Sequence, residues 1–147
     1  MNLDFMKEAI RLARESKGGP FGAVVVKDGQ IIGRGANQVT VVNDPTAHAE
    51  VIAIREACRH LQDFRLTGCE IYASCEPCPM CLAAILWARL DRVYFALTRQ
   101  DAAAMGFDDE QFYRELAKPT LPMHPVGRDL ALPLVAEWSG KMGKTPY

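Results

Sequence analysis

The arrangement of one histidine and two cysteines constrains the fold more than any other feature of this 147-residue chain. His48 is followed two residues later by Glu50, and Cys78 and Cys81 follow Pro77 with two residues between the cysteines. Side chains three apart share one face of a helix, so both sulfurs can reach a single ion from a helix that begins near this proline. The imidazole must reach the same point from thirty residues away. Two helices whose N-termini face each other across one ion meet that requirement.

These residue types favour zinc. Histidine nitrogen and cysteine sulfur are preferred zinc ligands, and three protein ligands leave a fourth position open for water. Zinc lowers the pKa of that water from about 15.7 to about 7. The positive end of a helix also favours the thiolate form of Cys78 and Cys81 that a ligand needs. Glu50 cannot point the same way as His48 along a regular helix, and we predict that it flanks the water as a proton-transfer group.

A closed structural zinc site is the alternative interpretation, and it would need a fourth protein ligand. Cys75 is the candidate, because it precedes Cys78 by three residues. Structural sites usually show two matched pairs of ligands, and this chain has one such pair, so we favour the open site with one zinc ion per chain. Glu76, beside Pro77, is either an acid that supports the ligands or a plain loop carboxylate.

Composition limits the class of partner. The apolar share is 49%, the charged share is 24% and the net charge is −1, which predicts one globular domain over 1–147 and a small substrate rather than a nucleic acid. Charges interrupt the N-terminus too early for a signal peptide, and the longest apolar run, Cys81–Ala88, is far too short to span a membrane. Thiols kept for a metal indicate a reducing compartment, for which we predict the cytoplasm.

Local patterns predict helices that alternate with strands. A Val-rich hairpin turns at Asp28-Gly29, its glycine-containing second strand is expected to bulge, and Asp44 or Thr46 is expected to cap the second helix. The predicted helices are 3–15, 47–60, 77–90 and 108–118, and the predicted strands are 21–27, 30–35, 69–75 and 92–97. Alternation after residue 60 implies parallel pairing, whereas the hairpin is antiparallel. The chain is therefore predicted to be an α/β protein with a mixed sheet between two layers of helices.

Three segments resemble the cytidine deaminase-like superfamily, whose signature is H-x-E followed by P-C-x-x-C: residues 19–24, 43–50 and 74–81. Within that superfamily, residues 87–89 and 106–109 resemble the guanine deaminase branch. The resemblance implies a three-layer α/β/α sandwich with a mixed five-stranded sheet. It also implies hydrolysis of guanine to xanthine and ammonia, a step of purine catabolism. The nucleophile would be a zinc-bound hydroxide.

The resemblance implies the metal ligands to be His48, Cys78 and Cys81 and the proton shuttle to be Glu50. The remaining site residues come from the same likeness and are Asn37, Asp109, Phe21, Trp87 and Tyr147.

Each of these remaining residues has an implied role. Asn37 would hold the purine ring by its side-chain amide, and Asp109 would face the amino-bearing edge of the base. Phe21 and Trp87 match positions at the pocket wall or at a dimer contact, and Tyr147 matches a terminal tyrosine that closes over the site. From the residues alone, Asn37 would be a turn residue, Asp109 a helix cap, and both aromatic residues part of the core.

The C-terminal part of the chain differs in character from the rest. Prolines at 119, 122, 125 and 133 predict an extended arm over 119–147. The resemblance implies a homodimer that exchanges this arm. Two related activities remain as alternatives, a transfer-RNA adenosine deaminase and a cytosine or cytidine deaminase. The alternative from another class is a zinc-stabilised interaction module without catalysis.

Overall fold

The computed structural model describes residues 1–147, which divide into two compact units, Met1–Tyr113 and Arg114–Tyr147. The helices are α1 Leu3–Glu15, α2 Val39–Val42, α3 Ala49–Leu61, α4 Pro79–Trp87, α5 Arg99–Ala104, α6 Glu110–Ala117, α7 Arg128–Ala131 and α8 Pro133–Gly140. The strands are β1 Gly22–Lys27, β2 Gln30–Ala36, β3 Cys69–Cys75 and β4 Arg92–Leu97. No helix reaches the length and apolar character that crossing a membrane requires.

The first unit is built on one mixed sheet with the strand order β2-β1-β3-β4. The hairpin partners β1 and β2 are antiparallel, β1 and β3 are also antiparallel, and β3 and β4 are parallel. The mixed sheet is confirmed, but it has four strands where five were predicted. No segment beyond Leu97 forms a strand, and prolines at 119, 122, 125 and 133 remove backbone donors from the remaining stretch.

Helices cover both faces of this sheet, because side chains alternate along each strand. Val24, Val26 and Tyr72 point to one face and pack against Phe5 and other residues of α1. The opposite face of β1 and β3 packs against α3 and α4 in a larger cluster that includes alanines of α3 and Ile85 of α4. The α/β/α layering predicted from the sequence is therefore confirmed.

Glycines in β2 allow α3 to lie unusually close to the sheet. A Cβ atom at Gly33 would collide with the carbonyl oxygen of Ala53, and one at Gly35 would collide with that of Ala49. The register shifts between Val25 and Val26, which leaves Ile32 as an extra residue in β2. The predicted bulge is confirmed, and the glycines serve a close helix–strand contact at the very start of α3.

The second unit corrects one prediction. The prolines predicted an extended arm, but the segment contains the helices α7 and α8 as well as turns. Pro133 is the first residue of α8, where a proline loses no hydrogen bond and already has a helical φ. Every residue from Leu116 to Tyr147 is exposed.

Candidate active site

The backbone places both halves of the ligand set at helix starts. His48 is the N-cap residue of α3 and Cys78 is the N-cap residue of α4, each with extended φ and ψ. This corrects the prediction that Asp44 or Thr46 caps α3, because Asp44 instead accepts hydrogen bonds from the backbone and hydroxyl of Thr46 and folds the preceding loop. Neither N-cap side chain bonds its own helix. Both are therefore free to turn toward a common point.

The ligand atoms of His48, Cys78 and Cys81 form one cluster and lie within 4.8 Å of one another. The Nδ1 atom of His48 is 3.6 Å from the sulfur of Cys78 and 3.5 Å from that of Cys81. Zinc–nitrogen bonds of about 2.0–2.1 Å and zinc–sulfur bonds of about 2.3 Å, meeting at a tetrahedral angle, put nitrogen and sulfur about 3.6 Å apart. The cluster therefore has the dimensions of three corners of a zinc tetrahedron.

The electrostatics of the two sulfurs also suit a cation. The Cys81 thiol, as a donor, lowers the pKa of Cys78 to about 4, with His48 adding to the effect, whereas the pKa of Cys81 is raised by the same pairing and by burial. The two shifts have opposite signs because two adjacent thiolates repel each other, so ionisation of one sulfur makes ionisation of the other harder. The negative Cys78 in turn raises the pKa of His48. A divalent cation would allow both sulfurs to ionise.

Glu50 is buried beside this cluster. Its Oε2 atom accepts a hydrogen bond of 3.4 Å from the Cys81 sulfur. Burial raises the pKa of the Glu50 carboxyl above its usual range, as suits a group that both takes and delivers a proton. The structure thus brings together all four residues predicted for the metal and the proton transfer.

Cys75 does not belong to the ligand cluster, which has three members. Its thiol donates to the backbone carbonyl of Thr98 at 3.5 Å, and burial raises its pKa to about 11. A buried thiol that keeps its proton behaves as a small apolar side chain. The geometry therefore supports an open three-ligand site over a closed site with Cys75 as the fourth ligand.

Asn37 is buried at the end of β2, close to the start of α3. Its side-chain oxygen accepts hydrogen bonds from the backbone N–H groups of Gly19 and Val39, both at 3.1 Å. The next residue, Gln38, donates its backbone N–H to Ala47, one position before His48. Since the amide oxygen is occupied by the backbone, the amide nitrogen is the group that can donate to a ligand.

Asp109 lies in the loop between α5 and α6 and is half-buried. Its Oδ1 atom is buried and has no hydrogen-bond partner. Desolvation raises the pKa of Asp109, and the negative charge of Cys78 raises it further, so the carboxyl lies within electrostatic reach of the cluster. Buried polar atoms almost always have partners, so a bare carboxylate oxygen in this place suits a ligand that donates.

The three predicted aromatic residues lie in different places. Phe21 is half-buried and meets Phe107 edge to face, with ring centroids 4.9 Å apart. Trp87 is the last residue of α4 and 60% exposed. Nine residues of helix place it roughly 13 Å along the axis from Cys78. Tyr147 is exposed and lies in the second unit. The structure thus keeps Trp87 apart from the metal ligands.

Sequence reasoning missed a polar network beside Pro77. Arg99 lies 3.1 Å from a Glu76 carboxylate oxygen and 3.3 Å from one of Glu110. Its guanidinium carbon is 4.3 Å from the ring centroid of Tyr113, whose hydroxyl donates to the carbonyl of Pro77. The only sequence signal was Glu76 next to the proline, and Glu76 had two interpretations. Nothing in the spacing indicated its partners.

Comparison with known proteins agrees with this geometry. Residues 1–97 match the family model of the cytidine and deoxycytidylate deaminase zinc-binding region. A guanine deaminase of Bacillus subtilis is 50% identical to the chain over 97% of both lengths. The X-ray structure of guanine deaminase from Bacillus subtilis superposes with a TM-score of 0.94 and covers 100% of this chain and 99% of the other.

A transfer-RNA enzyme is also similar, though over less of the chain. The tRNA-specific adenosine deaminase of Agrobacterium fabrum is 41% identical over 79% of this chain and 76% of its own length. The match to the Bacillus guanine deaminase, in contrast, extends over nearly the whole sequence. The likeness to the guanine enzyme therefore takes in more of the chain.

Proposed function

Because the chain belongs to the zinc-dependent cytidine and deoxycytidylate deaminase family, we propose that it hydrolyses guanine to xanthine and ammonia. The observation that carries this proposal is the 50% identity to a guanine deaminase over 97% of both chains. The site geometry is consistent with it, since the ligand cluster and the buried Glu50 supply what hydrolytic deamination needs. One water is consumed and one ammonia leaves for each guanine.

We assign zinc binding to His48, Cys78 and Cys81, with one ion per chain. Their nitrogen–sulfur separations match a zinc tetrahedron, and Cys75 is engaged elsewhere. Zinc bound by three such ligands retains a position for water and lowers the pKa of that water to about 7. The N-termini of α3 and α4 both face this point, so their positive ends favour the negative charge that develops during attack on the base.

Glu50 is assigned the proton transfers. Its carboxylate takes a proton from the attacking water and passes it to a ring nitrogen next to the carbon that bears the amine. The carboxylate then takes the remaining proton from the hydroxyl group now attached to that carbon and delivers it to the leaving amine. The carbon–oxygen bond becomes the carbonyl of xanthine, and ammonia departs rather than its anion. Burial raises the pKa of the Glu50 carboxyl, which favours the protonated form that this residue adopts between these steps. The 3.4 Å contact between Oε2 of Glu50 and the Cys81 sulfur supports this assignment, because it puts the carboxylate beside the ligand atoms.

Asn37 and Asp109 are assigned to substrate recognition. Guanine presents the acceptors N7 and O6 at one edge and donors at the other. The amide nitrogen of Asn37 suits the acceptor edge, because its oxygen is already bound by two backbone N–H groups. The unpartnered Oδ1 of Asp109 suits the amino group and its neighbouring ring N–H. Phe21, packed on Phe107, is assigned to the apolar wall of the pocket.

The alternatives have less support. A transfer-RNA adenosine deaminase shares the metal motif, but a net charge of −1 offers little to hold a phosphate backbone. A non-catalytic zinc module would need a closed site, whereas the cluster has three protein ligands. A cytosine or cytidine deaminase has less support, because the likeness over 97% of both chains is to a guanine deaminase.

Ammonia release from a panel of bases tests the proposal. The purified zinc-loaded protein is offered guanine, adenine, cytosine, cytidine and an aminotriazine, and both ammonia and the deaminated product are measured. We expect guanine to be turned over with a kcat/KM at least about tenfold above the others, because a site built to hydrogen-bond both edges rejects bases that lack them. Turnover of any other compound of the panel in preference to guanine would overturn the proposal.

We also propose that the enzyme is a homodimer that exchanges the arm 119–147, with Tyr147 covering the partner's site. Two surfaces support this. In the second unit, Leu134, Val135 and Trp138 of α8 are 62%, 65% and 46% exposed, although an apolar helix needs a surface to cover it. In the first unit, Leu86 and Trp87 at the end of α4 are 63% and 60% exposed, which suits the dimer contact implied for Trp87.

Mixing two inactive variants tests the exchange. A Glu50→Gln chain has an intact arm, and a Tyr147→Ala chain has an intact Glu50. If each arm completes the other protomer's site, an equal mixture refolded together regains about one quarter of the wild-type sites, because half of the dimers are mixed and each has one complete site. Either variant refolded alone serves as the control. Activity that never rises above the sum of the two controls would mean that each arm serves its own chain.

The cysteines support a proposal for the cell compartment. All five thiols are free, and two of them are assigned to zinc. Metal-binding thiols persist in a reducing compartment, so we place the protein in the cytoplasm, where it would serve the breakdown of guanine.

A further inference from the structure

The carboxylate of Asp109 lacks any hydrogen bond that would fix its buried oxygen. Its neighbours are held firmly instead. The Asp108 carboxylate accepts from the backbone N–H of Glu110, and the Asp109 carbonyl accepts from that of Phe112. Since no hydrogen bond fixes the buried oxygen, the direction of the Asp109 carboxylate depends on how the first turn of α6 is anchored.

Arg99 anchors that turn from one side. Its Nη1 atom lies 3.3 Å from a carboxylate oxygen of Glu110, the residue next to Asp109. Its backbone N–H donates to one oxygen of Glu76 at 3.2 Å, and its Nε atom lies 3.1 Å from the other, close enough for an ion pair although the N–H does not point at that oxygen. Arg99 thus links the start of α6 to the segment that leads into Cys78.

Tyr113 makes a second link between the same two segments. Its hydroxyl donates to the Pro77 carbonyl at 3.2 Å, and the Arg99 guanidinium lies over its ring at 4.3 Å from the centroid. The side chains of Arg99 and Glu76 are 30% and 25% exposed, so this ion pair is better shielded from solvent than the others on the surface. A planar guanidinium suits two carboxylates and a ring at once, which a lysine ammonium does not.

We propose that Arg99 is a positioning residue, which holds the first turn of α6 against residues 76–77 and so aims the Asp109 carboxylate at the amino-bearing edge of guanine. The inference rests on the proposed function. A shift of about 1 Å in such a group lowers the rate by up to about 100-fold. Loss of Arg99 should therefore lower kcat/KM although Arg99 does not contact the substrate.

A double-mutant cycle distinguishes positioning from general stabilisation. We expect Arg99→Gln to lower kcat/KM for guanine by about 10- to 100-fold, Asp109→Asn by about 100-fold, and the double variant by no more than about threefold beyond Asp109→Asn alone. The effects do not multiply because Arg99 acts only through Asp109. Arg99→Lys should recover part of the loss, since an ammonium still reaches one of the two carboxylates. Zinc content and Tm are measured for every variant.

The controls separate the possible failures. Arg92→Gln removes an exposed arginine that lies 3.7 Å from Glu70 at the sheet, and it should leave kcat/KM unchanged. If Arg99→Gln does not fold, Glu110→Ala cuts the same link while leaving the arginine in place. Multiplying losses in the cycle, or an unchanged kcat/KM in Arg99→Gln, would overturn the positioning role. Failure of the unaltered protein to deaminate guanine would instead overturn the proposed function.

Discussion

Glu50→Gln is expected to abolish nearly all turnover of guanine while leaving zinc in place. Glutamine keeps the size of the side chain but neither takes a proton from water nor delivers one to the base. General acid–base groups contribute about 10²–10⁴-fold, and we expect a loss in kcat near the upper end because Glu50 serves several proton transfers. The carboxylate is not one of the three cluster ligands, so one zinc per chain should remain. Steady-state kinetics with metal analysis measures both quantities.

The matched control is Glu56→Gln on the same helix. Glu56 is exposed and accepts a hydrogen bond from the backbone N–H of Arg34, a contact that the glutamine oxygen retains. This variant should keep normal kcat and KM. A zinc-loaded Glu50→Gln enzyme with kcat within about threefold of the wild type would contradict the assigned proton transfers.

The second large effect is expected when a zinc ligand, Cys78, is removed, and not when its neighbour three residues earlier, Cys75, is removed. Cys78→Ala removes a ligand, so we expect zinc to be lost on dialysis and guanine turnover to fall by roughly a thousandfold or more, as water returns to its ordinary acidity. Cys75→Ala removes a buried thiol that donates to the Thr98 carbonyl, and it should retain one zinc and near-normal turnover. Elemental analysis of both dialysed variants, followed by the ammonia assay, gives the comparison.

The comparison also tests the closed-site interpretation. If Cys75→Ala lost its zinc as readily as Cys78→Ala, four protein ligands would be involved and there would be no position for water. Restoring zinc to the dialysed Cys78→Ala protein should not restore activity, whereas the same treatment should fully restore wild-type protein stripped by a chelator.

The sequence predicted the metal cluster well because its signal is local. The pair Cys78 and Cys81 needs only a helix start, and the fold brings His48 to the same point through the N-terminus of α3. Strands were found at nearly their observed bounds, since β1 and β3 are buried apolar runs with clear turn signals. The fifth strand was carried over from the resemblance, and this chain does not form it.

Two features of the site could not be predicted from the sequence, each for a physical reason. The partners of the Arg99 side chain are Glu76, Glu110 and Tyr113, which lie in two separate stretches of the sequence, so only the folded chain brings them together. The Oδ1 atom of Asp109 is buried without a hydrogen-bond partner, and the spacing of residues in the sequence does not predict burial of a single atom. In contrast, the sequence does contain a signal for α5, which was not predicted. Thr98 and Asp101 form a capping box at its start.

The glycines of β2 have a consequence for engineering the substrate range. At Gly33 and Gly35 the main chain of α3 rests almost directly on the main chain of the strand, with no side chain between them. Because this contact is between two backbones, changing side chains of the surrounding core would not move the start of α3, and with it the imidazole of His48, along the sheet. Mutant libraries for new bases should therefore keep Gly33 and Gly35 and concentrate their diversity on the loop that carries Asp109.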